Sequence, residues 1–170
     1  SPDNTRLPLP RVHDKLAVGV LASDNESNRH AVGDFLIRWE RESRLHGCAE
    51  LHIAGDVCNF IKSRDPSVHL LGRVENLERF YADLHLVINP DFSGTGIKIK
   101  SLEALSYGRP LLCGGAGSRG LNAAHPWHAL PGRASMLDCI VTLTQRKEML
   151  PPLREESIRL FYEYSRMDTY

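Results

Sequence analysis

Residues 88–120, INPDFSGTGIKIKSLEALSYGRPLLCGGAGSRG, alternate short apolar runs with glycine loops around one helical segment. Leu86, Val87 and Ile88, closed by Asn89 and Pro90, read as a short buried strand, because the run is apolar and ends in turn residues. The chain then drops its side chains at Gly94 and Gly96, and a helical pattern starts near Ile97. A helix N-terminus carries about half a positive charge and unpaired N–H groups. Glycines let a ligand approach that backbone closely, so the combination predicts a seat for a phosphate. At 3.6 residues per turn, Gly96, Lys100 and Glu103 share one face of the helix. A diphosphate at the tip would meet Lys100, and Glu103, one turn deeper, would accept hydrogen bonds from paired sugar hydroxyls. The same two residues can instead stand as a solvated i,i+3 ion pair worth roughly a few tenths of a kcal/mol. Lys98 points about 200° away from Lys100, so both reach one phosphate only if Lys98 belongs to an irregular first turn. Ile99, Leu102 and Leu105 form a different stripe, expected to pack on a sheet.

Outward from this stretch the pattern repeats. Lys15 to Ala22 is a near-continuous apolar run, as in a strand covered on both faces. A polar loop, SDNESNRH, leads to a helix with Val32, Phe35, Leu36 and Trp39 on one side; Ser23 or Asn28 is expected as its N-cap. Glu50 to Gly55 and His69 to Gly72 read as two more strands, with a short helix from Val57 to Ile61 between them and an amphipathic helix marked by Leu77, Phe80 and Tyr81 after them. Leu111 to Cys113 is a fifth strand. Residues 134–149 read as one helix, broken by Pro151 and Pro152, and Ile158, Phe161 and Tyr162 give the last helix its apolar face. Strands alternating with helices at this spacing predict βαβ units, a parallel sheet and right-handed crossovers, with ligand sites beyond the carboxyl ends of the strands.

The 170 residues amount to about one domain, and the 21 basic residues balance the 21 acidic ones, so nothing points to nucleic acid or a strongly anionic membrane. No apolar run approaches the ~20 residues that cross a bilayer, and no secretory signal opens the chain, which reads as cytoplasmic. Cys48, Cys58, Cys113 and Cys139 lack CxxC spacing and mostly sit in apolar surroundings, so they read as buried free thiols. His125 and His128, in HPWH, lack zinc-ligand spacing, so no metal is expected and the stretch reads as a loop packed on Trp127. Gly115 to Gly120 match GxGxxG after a strand, which raises an NAD(P)-binding alternative. That motif needs an acidic residue at the end of the next strand, and Asp138, the nearest candidate, sits in a helical pattern.

The run GTGIKIKSLEALSYGRPLLCG resembles the donor-nucleotide signature of glycosyltransferases of the GT-B architecture, in the group 1 superfamily of retaining enzymes. Lys100, Glu103, Ala104, Gly108 and Pro110 stand at the positions of its lysine, glutamate, alanine, glycine and proline. The resemblance covers most of the chain from Leu16 onward. It implies a Rossmann-like three-layer α/β/α domain over residues 15–170, the C-terminal lobe of a two-lobe enzyme; ahead of it, Pro2, Pro8 and Pro10 among polar residues make residues 1–14 read as an extended linker. The absent N-terminal lobe would hold the acceptor, and through it the enzyme could be peripheral to a membrane; the start at Ser1 fits such a fragment or an expression scar. The ligand it implies is a nucleotide-diphosphate-sugar, a substrate rather than a cofactor, with Lys100 stabilising the leaving diphosphate and no metal in the transfer. Gly94, Thr95, Gly96, Ile97, Lys98, Glu103 and Gly117 would line the donor pocket. Asn28 matches an asparagine that members often carry near the start of the first helix. Arg73 and Val74 fall where members meet the nucleobase, although Arg73 can equally be a surface arginine. Thr95 replaces a glutamate that many members use to hold the donor sugar. A GT-B epimerase or phosphorylase would share this lobe, and a non-catalytic nucleotide-sensing module is the remaining alternative.

Overall fold

The computed structural model describes residues 7–12, 14–94, 98–115 and 125–167. Thr95, Gly96, Ile97 and Gly117, expected at the donor pocket, lie outside them. Five strands, β1 (Leu16–Leu21), β2 (Ala49–Ala54), β3 (Val68–Gly72), β4 (Leu86–Ile88) and β5 (Leu111–Leu112), form one sheet in the order β3-β2-β1-β4-β5. Every pairing is parallel. This is the Rossmann-like α/β arrangement that the alternation of strand and helix predicts.

Side chains of successive strand residues point to opposite faces, and the two cores follow that period. Leu16, Val18 and Val20 join Leu51, Ile53, Leu86, Ile88 and Leu112 on one face. There they meet α1 (Glu26–Arg41) through Val32, Phe35, Leu36 and Trp39, and α4 (Arg133–Gln145) through Met136, Leu137 and Ile140. Ala54, Val87, Leu111 and Cys113 face the other way, against Phe80 and Tyr81 of α2 (Leu77–Ala82), Ala104 and Leu105 of α3 (Ile99–Ser106), and Leu160 of α5 (Leu150–Met167). Trp39 is fully buried and its indole N–H donates to Ser67 Oγ at 2.9 Å, which satisfies its one polar atom.

Four local expectations are corrected. The N-cap of α1 is Asn25, not Ser23 or Asn28: its side-chain oxygen accepts the Asn28 amide at 2.7 Å. The helix expected over residues 134–149 ends at Gln145, and a 3-10 turn, Lys147–Met149, leads straight into α5. Pro151 and Pro152 therefore stand in the first turn of α5, where a missing N–H breaks no hydrogen bond, and they open that helix instead of closing the previous one. The buried face of α5 is Leu153, Ser157 and Leu160, one turn apart, while Tyr162 is exposed. In α3, Leu105 packs inward as expected but Ile99 is 82% exposed; Ser101 and Ala104 take the inner positions. Ile99 is the first helical residue and borders an open cleft.

Residues 7–12 run along the domain, with Leu9 and Val12 against the core. The buried guanidinium of Arg109 donates to the carbonyls of Leu7 and Pro8 as well as those of Tyr81, Leu84 and Tyr107. His85 adds a tether, with Nδ1 accepting the Ala17 amide at 2.8 Å and Nε2 at 3.1 Å from Arg11 O. An Nδ1 that accepts leaves the proton on Nε2, which donates to Arg11 O. The Cys48, Cys58, Cys113 and Cys139 thiols are free, as expected, although Cys48 is exposed. No described helix is long and apolar enough to cross a membrane.

Candidate functional site

In the order β3-β2-β1-β4-β5 the chain reverses its winding between β1 and β4. Loops leaving the carboxyl ends of these two strands part there, which opens a crevice. A cleft of about 360 Å³ occupies that place, lined by Val20 to Ala22 at the carboxyl end of β1, Asn25 and Asn28 at the start of α1, Asn89 to Asp91 after β4, Tyr81, and Lys98 to Ser101 at the start of α3. Its size falls within the range of small-molecule sites.

The loop after β4 is knotted by short polar side chains. Asn89 Nδ2 donates to Ser101 Oγ at 3.0 Å, and Asn89 Oδ1 accepts the Asp91 amide. Asp91 in turn accepts from the amide and hydroxyl of Ser93, at 2.9 and 2.6 Å, and from Ser27 Oγ of α1 at 3.0 Å. Such Asx turns let side chains stand in for backbone partners, so this loop keeps one shape without secondary structure. Burial opposes the charge on Asp91, but the Ser93 and Ser27 hydrogen bonds and the Lys98 charge outweigh it and hold its carboxyl below the usual range. Gly94 closes the loop at φ +73°, a left-handed conformation that other residues rarely adopt.

Lys98 then takes an extended conformation at the N-cap position of α3 and does not belong to the helix proper. Its ammonium folds back to the carbonyl of Ser93, over Gly94, where an added Cβ would come within 2.8 Å of Nζ. Lys98 and Lys100 thus line the same cleft despite their angular separation on an ideal helix. The amides of the first turn have no intrahelical acceptor, and no side chain at the N-cap position satisfies them. One turn on, Lys100 Nζ lies 3.8 Å from Glu103 Oε2, half exposed, a loose pair that can open to a ligand. Glu103 is steadied from the other side: Tyr81 donates to Oε1 at 2.8 Å, and the Tyr81 ring stacks on Tyr107 with centroids 4.8 Å apart. Burial, followed by the Glu103 charge, drives the Tyr81 hydroxyl well above its ordinary pKa, so it stays a donor.

A second recess of about 150 Å³ lies on the other side of Lys98, between the two glycine loops, bounded by Asp91 to Gly94, Gly114, Gly115 and Leu130. An added Cβ at Gly114 would come within 2.7 Å of the Phe92 ring, so only glycine lets these loops close on each other. Asn28, Gly94, Lys98 and Lys100 therefore converge on one region, with Glu103 beside it. Arg73 does not join them: its guanidinium is 81% exposed and pairs with Asp56 at 3.3 Å. Val74 lines a separate cavity with Leu71, Asn76 and Phe80. Asp138 lies in α4, exposed, and pairs with Arg44 at 3.1 Å, so it does not stand at a strand end as the acidic residue of a dinucleotide fingerprint would. His125 and His128 bracket a 3-10 turn, Pro126–His128, where His125 Nδ1 accepts the Trp127 amide.

Several contributors lie outside the glycine-loop and α3 motif. Ser27, Asn89 and Asp91 build the loop, Tyr81 positions Glu103, and Arg133 at the start of α4 ties Asp34 to the carbonyl of Pro90, at 2.6 and 3.2 Å. For Asn89 and Asp91 the signal is local: N-P-D-x-S is dense in residues that bond their own backbone.

A cleft at the switch point of a parallel sheet, floored by a helix tip with two lysines, defines an α/β domain of the Rossmann-like class. The chain belongs to the group 1 glycosyl transferases, whose family model matches residues 15–128. No curated protein sequence matches it. Among solved structures the fold is similar to that of TarM, at TM-score 0.63 and 16% identity over 92% of this chain and 34% of that one. It is also similar to Anabaena HepE in complex with UDP-glucose, at TM-score 0.64 and 12% identity over 88% of this chain and 44% of that one. WaaG, a glycosyltransferase involved in lipopolysaccharide biosynthesis, matches at TM-score 0.63 and 12% identity over 94% of this chain and 49% of that one. The chain spans between a third and a half of the length of these structures.

Proposed function

We propose that this chain is the C-terminal, donor-binding lobe of a retaining, metal-independent glycosyltransferase of glycan biosynthesis. It would take a nucleotide-diphosphate-sugar and, with an N-terminal lobe holding the acceptor, move the sugar to a hydroxyl. The observation that carries the reading is the α3 tip: uncapped amides and two lysines opening on the switch-point cleft. In the reaction, charge builds on the departing β-phosphate. Amides and an ammonium already in place would stabilise that charge more than they stabilise the bound donor, and this difference lowers the barrier. Glu103, held by Tyr81, would accept the ribose hydroxyls. The complexes of HepE with UDP and with UDP-glucose support a nucleotide-sugar as the ligand class.

A thermal-shift panel of uridine, guanosine and adenosine diphosphate sugars against the chain tests the ligand. Lys100→Ala should weaken the best of them by roughly 10- to 100-fold, the worth of one or two charge-assisted hydrogen bonds. Lys62→Ala, at an exposed position elsewhere, should not. Equal affinity in the two variants would remove Lys100 from the site, and a preference for NAD over every nucleotide-sugar would replace the reading. The chain by itself should bind donor weakly and transfer nothing. The replacement of a glutamate by Thr95 favours a second reading, a nucleotide-sensing module without turnover. A full-length chain that binds a nucleotide-sugar and transfers from none of the panel would establish it.

A further inference from the structure

Glu50 and His52 alternate along β2 and so share a face of the sheet, and the register sets His69 of β3 directly beside His52. The two imidazoles stack with centroids 4.8 Å apart and planes 17° from parallel. Glu50 Oε2 lies 3.6 Å from His69 Nε2 and 3.8 Å from His52 Nε2, and one donor atom from each of the three residues lies within 4.8 Å of the others. His69 Nε2 is shut off from solvent and makes no hydrogen bond, although buried polar atoms are satisfied almost without exception. Glu50 Oε2, at 3.6 Å, stands just outside hydrogen-bond reach, so among the described residues that nitrogen has no protein partner.

We propose that Glu50, His52 and His69 bind a divalent transition metal of the zinc type. Tetrahedral ligation with bonds of 2.0–2.2 Å spaces donors by about 3.4 Å, so modest rotations of three side chains close the triangle. Two imidazoles and one carboxylate suit zinc and its neighbours, whereas calcium and magnesium need more oxygens than the cluster offers. The nearest cation, Lys15, pairs only loosely with Glu50 at 3.7 Å from the other carboxylate oxygen and is half exposed, so it can yield. His52 also lines the cavity of about 430 Å³ that holds Asn76 and Asp83, which leaves room for water or Asp83 at a fourth position. None of the three ligands borders the switch-point cleft, so the site is independent of the transferase reading. Its bonds would join β2 to the edge strand β3, whose carboxyl end carries Arg73 and Val74. His52 and His69 are 17 residues apart in sequence and meet only through strand register, which is why no short motif announces them.

The chain, stripped with a chelator, should take up one equivalent of Co²⁺ with tetrahedral d–d bands and without the thiolate-to-cobalt charge-transfer band that its cysteines would give. Zn²⁺ should displace the cobalt and raise the melting temperature. His69→Gln and Glu50→Gln should each weaken Zn²⁺ binding at least about tenfold, and His125→Gln should leave it unchanged. If either site variant fails to fold by circular dichroism, the other decides. Binding that is absent, sulfur-based, or equal in His125→Gln and the folded site variant would overturn the proposal.

Discussion

Arg109 brings a guanidinium into the interior and hands its hydrogen bonds to main-chain carbonyls. Burial, with a contribution from the Arg154 charge, pulls its pKa down to about 10, so it remains charged at neutral pH. Two of its acceptors, Tyr81 in the last turn of α2 and Tyr107 at the C-cap of α3, lie where the helix dipoles present their negative poles, and this offsets part of the desolvation. Arg109→Met would fill the space and leave the carbonyls of Leu84 and its neighbours unpaired. A loss of about 3 kcal/mol is expected, read as a fall in the urea midpoint at unchanged slope. Position 91 gives the second test at this scale. Asp91→Asn removes an acceptor for two serine hydroxyls and should weaken nucleotide binding through the loop, while the far-UV spectrum stays that of the wild type. Because the Asp91 carboxyl is held below its usual pKa, its contribution is complete above the unfolded value and disappears as pH falls through the folded one.

The elements around β5 and α5 are joined by a buried polar chain. Ser157 Oγ donates to Leu153 O at 2.7 Å and accepts the Leu111 amide, so His128 Nε2, 3.1 Å away, must be the donor in that pair. Burial, followed by the His125 charge, lowers the His128 pKa to about 4. The unfolded chain, with histidines near 6.5, then binds more protons than the folded one between pH 6.5 and about 4. Stability should fall with acidification across that window, by up to about 3 kcal/mol from His128 alone, and a pH series of melting curves would show the slope flatten in His128→Gln. Gly114→Ala tests the glycine loops: its methyl group meets Phe92, and about 1–3 kcal/mol should be lost by overpacking. The strands and α1 were legible because an apolar run or a helical stripe of Val32, Phe35, Leu36 and Trp39 is set by the protein's own core. Ile99 misled for the opposite reason: helical periodicity says which residues share a face, not which of them the fold leaves open at a cleft. The two prolines misled because the same missing N–H is harmful inside a helix and harmless in its first turn. Tyr81, Arg109 and the trio on β2 and β3 depend on contacts between segments far apart in sequence, which no local pattern encodes.

For the whole molecule, the sheet order decides where anything small can bind. β1 and β4 diverge, and α3 points its start, with Lys98 and Lys100, at the gap. A nucleotide-sugar supplied at about 100 times its Kd should stabilise the chain by about 2.7 kcal/mol, a rise of roughly 5–10 °C in melting temperature for a domain of this size. Differential scanning calorimetry checks this, and no rise with any diphosphate would leave the cleft without its proposed occupant. Arg109 and Arg154 both donate to the carbonyl of Leu7, well upstream of the first strand. A shortened chain beginning at Lys15 would keep every strand and helix yet strip two acceptors from a buried cation. Its folding would suffer more than any catalogue of secondary structure suggests, so the practical boundary for expressing this unit lies ahead of Leu7.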